Sequence, residues 1–167
     1  EIQQKNKITT FNTTPKMSTY LLAFVLGDLH KKTATTKDGV EVSVWATRAQ
    51  HSELFDFPLD IAVRVLEFYE EYFGVKFPLK KCGHVALPDF ASGAMENWGL
   101  ITYRESALLA GQKSALSSKR HVALVIAHET AHKWFGNLVT MKWWDDLWLN
   151  ESFATMMEYF SVDAIEP

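Results

Sequence analysis

The five residues His128-Glu129-Thr130-Ala131-His132 carry the most explicit chemistry in this sequence. Two histidines four apart share one face of a helix, so both imidazoles can reach a single metal ion. Glu129, beside the first of them, can act as general base on a water at such a centre. Glu151 follows nineteen residues after His132, within a second mostly apolar tract, Trp148 to Ala154, and can supply an oxygen ligand. Two imidazoles and a carboxylate suit one Zn2+ and leave a coordination position open. The ion's task there is to lower the pKa of water and polarise a scissile carbonyl. The competing explanations are two packed core histidines and a helix-start carboxylate favoured by the macrodipole. Against them, Glu129 lies in an almost wholly apolar stretch, and a carboxylate buried there needs a partner.

The elements that must position these groups can be read from the residue pattern. Val122 to Ala127 is apolar on nearly every side, so the helix expected from Lys119 to Phe135 belongs in a core. Ser117 or Ser118 is expected to cap it and Gly136 to end it. A second helix is expected from Leu147 to Phe160, capped by Asp145 or Asp146. Upstream, Leu59 to Phe73 reads as a helix by its apolar spacing, with Gly74 as its C-cap. Leu29 to Thr35 and Val40 to Thr47 read as a hairpin about Lys37-Asp38-Gly39. Ser18 to Leu26 reads as a buried strand, Cys82 to Leu87 and Leu100 to Tyr103 as short strands, and Pro88 to Gly99 as a loop. Four of the six tryptophans, Trp134, Trp143, Trp144 and Trp148, fall in one segment, which suggests a heavily packed aromatic cluster. Asp145, Asp146, Asn150 and Thr155 are the polar candidates for orienting the imidazoles, and the sequence pairs none of them.

Composition narrows the class. The 167 residues are 47% hydrophobic and 22% charged with a formal net charge of -3, which suits an ordinary globular segment. No basic footprint for nucleic acid is present, and no apolar run is long enough to span a bilayer. The single cysteine excludes an internal disulfide framework and a cysteine-cluster metal site.

The tract Val125 to Tyr159, including Trp134-Phe135-Gly136-Asn137-Leu138-Val139-Thr140 and Trp143 through Glu151, resembles the zinc core of the M1 family of metallo-aminopeptidases. These are gluzincins, with HExxH and a distant glutamate. In detail it is similar to the bacterial aminopeptidase N group of lactic-acid bacteria and their relatives. Upstream, Gly93-Ala94-Met95-Glu96-Asn97 matches the family's exopeptidase motif. The resemblance implies that this loop lines the substrate cleft and that Glu96 binds the free α-amine of a peptide. Elementary chemistry agrees, since an ammonium is held and oriented by a close carboxylate. Lys133 stands where the family commonly has glutamine, Thr130 where leucine is common and Ser152 where glycine is common; none of the three is a ligand. Ala94, where the leukotriene-hydrolase-like branch carries glycine, favours a plain aminopeptidase.

The resemblance thus implies an α+β, thermolysin-like zinc peptidase catalytic domain, partial in this chain. Residues 27–167 would form its N-terminal part, and residues 1–26 the end of a preceding β-rich domain. The family's transition-state tyrosine is expected beyond Pro167, so an isolated segment would hold zinc yet hydrolyse poorly. The implied partners are peptides with a free N-terminus and the remaining domains of a parent chain, with neither nucleic acid nor membrane. Asn12-Thr13-Thr14 and Asn150-Glu151-Ser152 fit the glycosylation pattern. A glycan on Asn150 would obstruct the metal site, and with the lone cysteine this points to the cytoplasm.

Overall fold

Alternating apolar residues set the first element pair. Val42, Val44 and Ala46 are fully buried, and their strand, β2 (Glu41–Thr47), pairs antiparallel with β1 (Leu29–Thr35) as the sequence pattern predicts. The turn between them uses Gly39 at φ 84°, a left-handed backbone that favours glycine. The computed structural model describes residues 8–166; residues 1–16, whose polar Thr, Asn, Gln and Lys content predicts a loop, lie partly outside them.

The sheet has five strands, in the order β1, β2, β3 (Lys81–Leu87), β5 (Leu100–Arg104) and β4 (Ala94–Met95). Helix α1 (Asp56–Phe73) carries the chain from β2 to β3 (Lys81–Leu87), which pairs parallel with β2. The strand β5 (Leu100–Arg104) lies parallel to β3, and the two-residue β4 (Ala94–Met95) pairs antiparallel with β5 at the sheet edge. Gly74 at φ 64° ends α1, in keeping with the sequence. A short helix α2 (Glu105–Leu108) precedes α3 (Leu116–Ala131), which packs between α1 and α4 (Trp148–Ile165). Tyr69 of α1 joins the three helices: its hydroxyl donates to the Ala127 carbonyl at 3.0 Å and lies 2.9 Å from Ser161 Oγ. The fold is α+β.

Several expectations are corrected. Ser18 to Leu26 is not a strand but a single helical turn, Thr19–Leu21, followed by irregular chain. No neighbouring strand among the described residues offers its backbone ladder partners, and Leu22, Phe24 and Leu26 are exposed. The helix α3 starts at Leu116 behind Ala115, without a serine cap, and ends at Ala131 rather than Phe135. The helix α4 likewise has no aspartate cap; Leu147 precedes it, and it runs on to Ile165. Of the tryptophan cluster only Trp134 is buried; Trp143, Trp144 and Trp148 are exposed.

Beneath the site, Cys82, His84 and Tyr103 are buried together, with His84 Nδ1 2.8 Å from the Tyr103 hydroxyl. Burial lowers the His84 pKa from 6.5 to about 3, so the folded protein keeps this ring neutral where the unfolded chain would protonate it. The unfolded state therefore binds more protons between these values, and stability falls as pH drops from about 6.5 toward 3. The loss attributable to His84 is on the order of 4 kcal/mol at the acid end. Thermal unfolding followed across pH should show this slope, and His84→Gln should flatten it.

Candidate metal centre and substrate-facing loop

His128 and Glu129 lie on the last turn of α3, and His132 caps it. Each imidazole commits its Nδ1 to an acceptor. His132 Nδ1 donates to the Phe135 carbonyl at 2.9 Å, and His128 Nδ1 sits 2.8 Å from Glu158 Oε2. With the Nδ1 protons so placed, both Nε2 lone pairs face one point, and the two atoms are 3.1 Å apart. Glu151, in the first turn of α4, brings Oε2 to 3.4 Å from His128 Nε2 and 3.7 Å from His132 Nε2.

This donor set fits zinc. Ligand nitrogens about 2.0–2.1 Å from a tetrahedral ion lie roughly 3.3 Å from each other, close to the separation found. The electrostatics call for a cation as well. Burial works against a charge on His128, yet Glu151 and Glu158 carry its pKa up to about 10. The two imidazole edges facing Glu151 hold its carboxyl far below the usual carboxylate range.

The close turn after α3 depends on Gly136. Its φ is 123°, and a Cβ there would come within 3.2 Å of Asn150 Nδ2 and 3.5 Å of His132 Nδ1. Glycine thus lets the start of α4 approach His132, which is how Glu151 reaches the imidazoles.

Glu129 is only 7% exposed. Burial raises its pKa to about 7, with the two histidines opposing. Its Oε2 is buried without a hydrogen-bond partner, a free acceptor suited to a water. Ligand atoms of Glu96, Glu129 and His132 lie within 4.8 Å of one another, and so do those of His128, His132 and Glu151. His132 belongs to both groups, but its one free nitrogen, Nε2, faces His128 and Glu151. That leaves the two glutamates to other work.

The Gly93-to-Asn97 stretch reaches the same place from the sheet. Ala94 and Met95 form the edge strand β4, paired on one side only. Gly93 accepts from Arg104 N at 2.9 Å, and a Cβ built on it meets nothing within 4 Å. Glu96 follows β4 and is 6% exposed. The Asn97 side chain turns into the framework: Nδ2 donates to the Leu21 carbonyl at 3.2 Å, and Oδ1 accepts from Thr102 Oγ1 at 2.9 Å.

His128, Glu129, His132, Glu151 and Glu96 therefore fall in two overlapping clusters, and the groups orienting the imidazoles lie outside the sequence candidates. Glu158 and the Phe135 carbonyl do this, whereas Asp145 and Thr155 are exposed. Glu158 lies seven residues after Glu151, two turns along the same face of α4, and that spacing was the available signal. Tyr20 was also missed. Its ring lies 5.1 Å from that of Trp144, tilted at 56°, and burial and the Glu96 carboxylate raise its hydroxyl to about 12. For a metal ion held by His128, His132 and Glu151, Glu158→Gln should weaken binding about 10–100-fold, measured by competition with a chromophoric chelator, by loosening the His128 ring.

Residues 57–167 match the Peptidase family M1 domain. The chain belongs to peptidase family M1. Among M1 relatives, "Aminopeptidase N" of Lactococcus lactis subsp. lactis is 66% identical over 166 residues, covering 99% of this chain and 20% of that protein. "Aminopeptidase N" of Lactobacillus helveticus is 59% identical over 158 residues, 94% of this chain and 19% of that protein. "Endoplasmic reticulum aminopeptidase 1" of Homo sapiens is 56% identical over 158 residues, 94% of this chain and 17% of that protein. The chain thus spans about a fifth of the length of the curated M1 relatives it matches. The residues that could hold a metal ion are in place.

Proposed function

We propose that this chain is the metal-bearing part of a zinc-dependent aminopeptidase that releases N-terminal amino acids from peptides. The observation that carries this reading is the junction at His132, which places the His128/His132/Glu151 donors against the Glu96/Glu129 pair. In this reading His128, His132 and Glu151 hold one Zn2+, which supplies the polarising and water-acidifying chemistry of peptide hydrolysis.

The remaining work belongs to the chain. Glu129, with its pKa near 7, is poised to take a proton from the attacking water and return it to the departing amine. Glu96 pairs with the substrate ammonium and so fixes which peptide bond meets Glu129. The outer edge of β4 offers backbone groups to an extended peptide, through Gly93, Ala94 and Met95. Asn97 serves by anchoring the loop to Leu21 and Thr102.

That the chain spans about a fifth of its relatives' length leaves room for reading residues 27–167 as the first part of a catalytic domain and residues 1–26 as the end of a preceding β-rich one. The remaining domains of such a chain would then be its partners. Among the described residues no helix is long and apolar enough to cross a membrane. Asn150 is 3% exposed beside Gly136, leaving no room for a glycan, which supports a cytoplasmic location.

The test is cleavage of a panel of aminoacyl p-nitroanilides and their N-acetylated counterparts by the full-length protein. The reading expects cleavage of the free-amine series only. Equal turnover of the acetylated series would overturn the assignment of Glu96.

A further inference from the structure

Lys133 is 1% exposed, directly after His132 at the end of α3. A lysine so placed loses most of the hydration of its ammonium and needs strong partners in exchange. Among the described residues no carboxylate lies within ion-pair distance of it. Its Nζ instead donates to two backbone carbonyls, Glu96 O at 2.6 Å and Asn97 O at 3.0 Å. Asn137, from the turn after α3, adds a second donor to the Glu96 carbonyl at 3.0 Å.

The significance lies in what these bonds connect. Glu96 stands on the loop between β4 and β5, whereas Glu129 and His132 stand on α3. The two elements approach each other at this corner, and the three hydrogen bonds are the polar links that join them there. Leu21 and Thr102 also hold the loop, through the Asn97 side chain. The backbone carrying Glu96 is therefore fixed by two sets of bonds, and the set from the end of α3 comes mainly from one ammonium.

We propose that Lys133 is a positioning residue for recognition of the substrate amine. It holds the Glu96 backbone at a set distance from the end of α3, so that the anchored ammonium and the attacked carbonyl fall in register. This inference rests on the reading of Glu96 as the amine anchor. The role calls for hydrogen-bond donors aimed at two carbonyls, which a carboxamide can also supply, whereas a thioether of similar length cannot.

Three variants of the full-length, zinc-loaded protein test it: Lys133→Met, Lys133→Gln and Glu96→Gln, each assayed for kcat, KM, zinc content and thermal midpoint. With an alanine p-nitroanilide, Lys133→Met is expected to raise KM about tenfold, the loss expected when a buried charge-assisted hydrogen bond is removed. Its kcat should stay within about threefold of the parent and its zinc content should be unchanged. Lys133→Gln should restore most of KM. A Lys133→Met protein with a lowered thermal midpoint but unaltered KM would overturn the proposal, leaving a purely structural role. So would a Lys133→Gln protein no better than Lys133→Met. Should Lys133→Met fail to fold, Asn137→Ala removes the neighbouring donor to the same carbonyl; a raised KM supports the linkage and an unaltered one overturns it. Glu96→Gln separates the two claims. If it raises KM while Lys133→Met does not, the anchor stands and Lys133 falls. If Glu96→Gln leaves KM unchanged, the anchor reading falls and takes this proposal with it.

Discussion

Glu129→Gln is expected to lower kcat by about 10²–10⁴-fold while leaving the zinc content of the protein unchanged. Glutamine has nearly the same shape, so the last turn of α3 and its packing should persist. What disappears is the ability to accept a proton, and with it the function of an oxygen that is buried without a partner. Because burial brings the Glu129 pKa to about 7, the carboxylate is basic enough to take a proton and acidic enough to release it. Stopped-time hydrolysis of an aminoacyl p-nitroanilide, with metal analysis of the same sample, checks this. Near-parental turnover with full zinc would remove Glu129 from the chemistry.

The second large effect is expected at Glu151. Its side chain is 49% exposed on the first turn of α4, so Glu151→Gln should fold normally. A neutral carboxamide is a poor zinc ligand, and the histidines would be left with one fewer anionic neighbour. Zinc affinity should fall by at least about a hundredfold, beyond the range typical of losing an outer hydrogen bond. Activity should fall with it and recover in part at high zinc. Competition titration against a chelator reads the affinity directly. An unchanged affinity would mean that the metal, if bound, is held elsewhere.

Much of this site was legible because its determinants are local. A four-residue histidine spacing on an apolar helix specifies both the shared face and the need for a partner, and α3 has that character. The β1–β2 hairpin follows from strict alternation and one glycine turn. The misreadings have a common physical source in contacts that sequence does not announce. Ser18 to Leu26 has the composition of a strand, but a strand also needs a neighbour for its backbone, and only Leu21 finds a buried place. The start of α3 was placed at serines because they are good caps, whereas here the helix begins one residue before them. Residue type alone puts Trp143, Trp144 and Trp148 in a core, yet they lie at the surface, Trp144 against Tyr20. Glu158 and Lys133 are the clearest cases. Each acts through a group distant in sequence, an imidazole 30 residues away and carbonyls 36 and 37 residues away. Residue type offered only a charge on a helix.

Exopeptidase activity is expected to be coupled to one zinc ion. The direct measurement is titration of zinc into chelator-stripped full-length protein, with bound metal and hydrolysis of a leucine p-nitroanilide followed in the same samples. Both should rise together and saturate at one zinc per chain, with the N-acetylated substrate untouched throughout. Full activity in protein shown by metal analysis to be free of zinc would contradict the account.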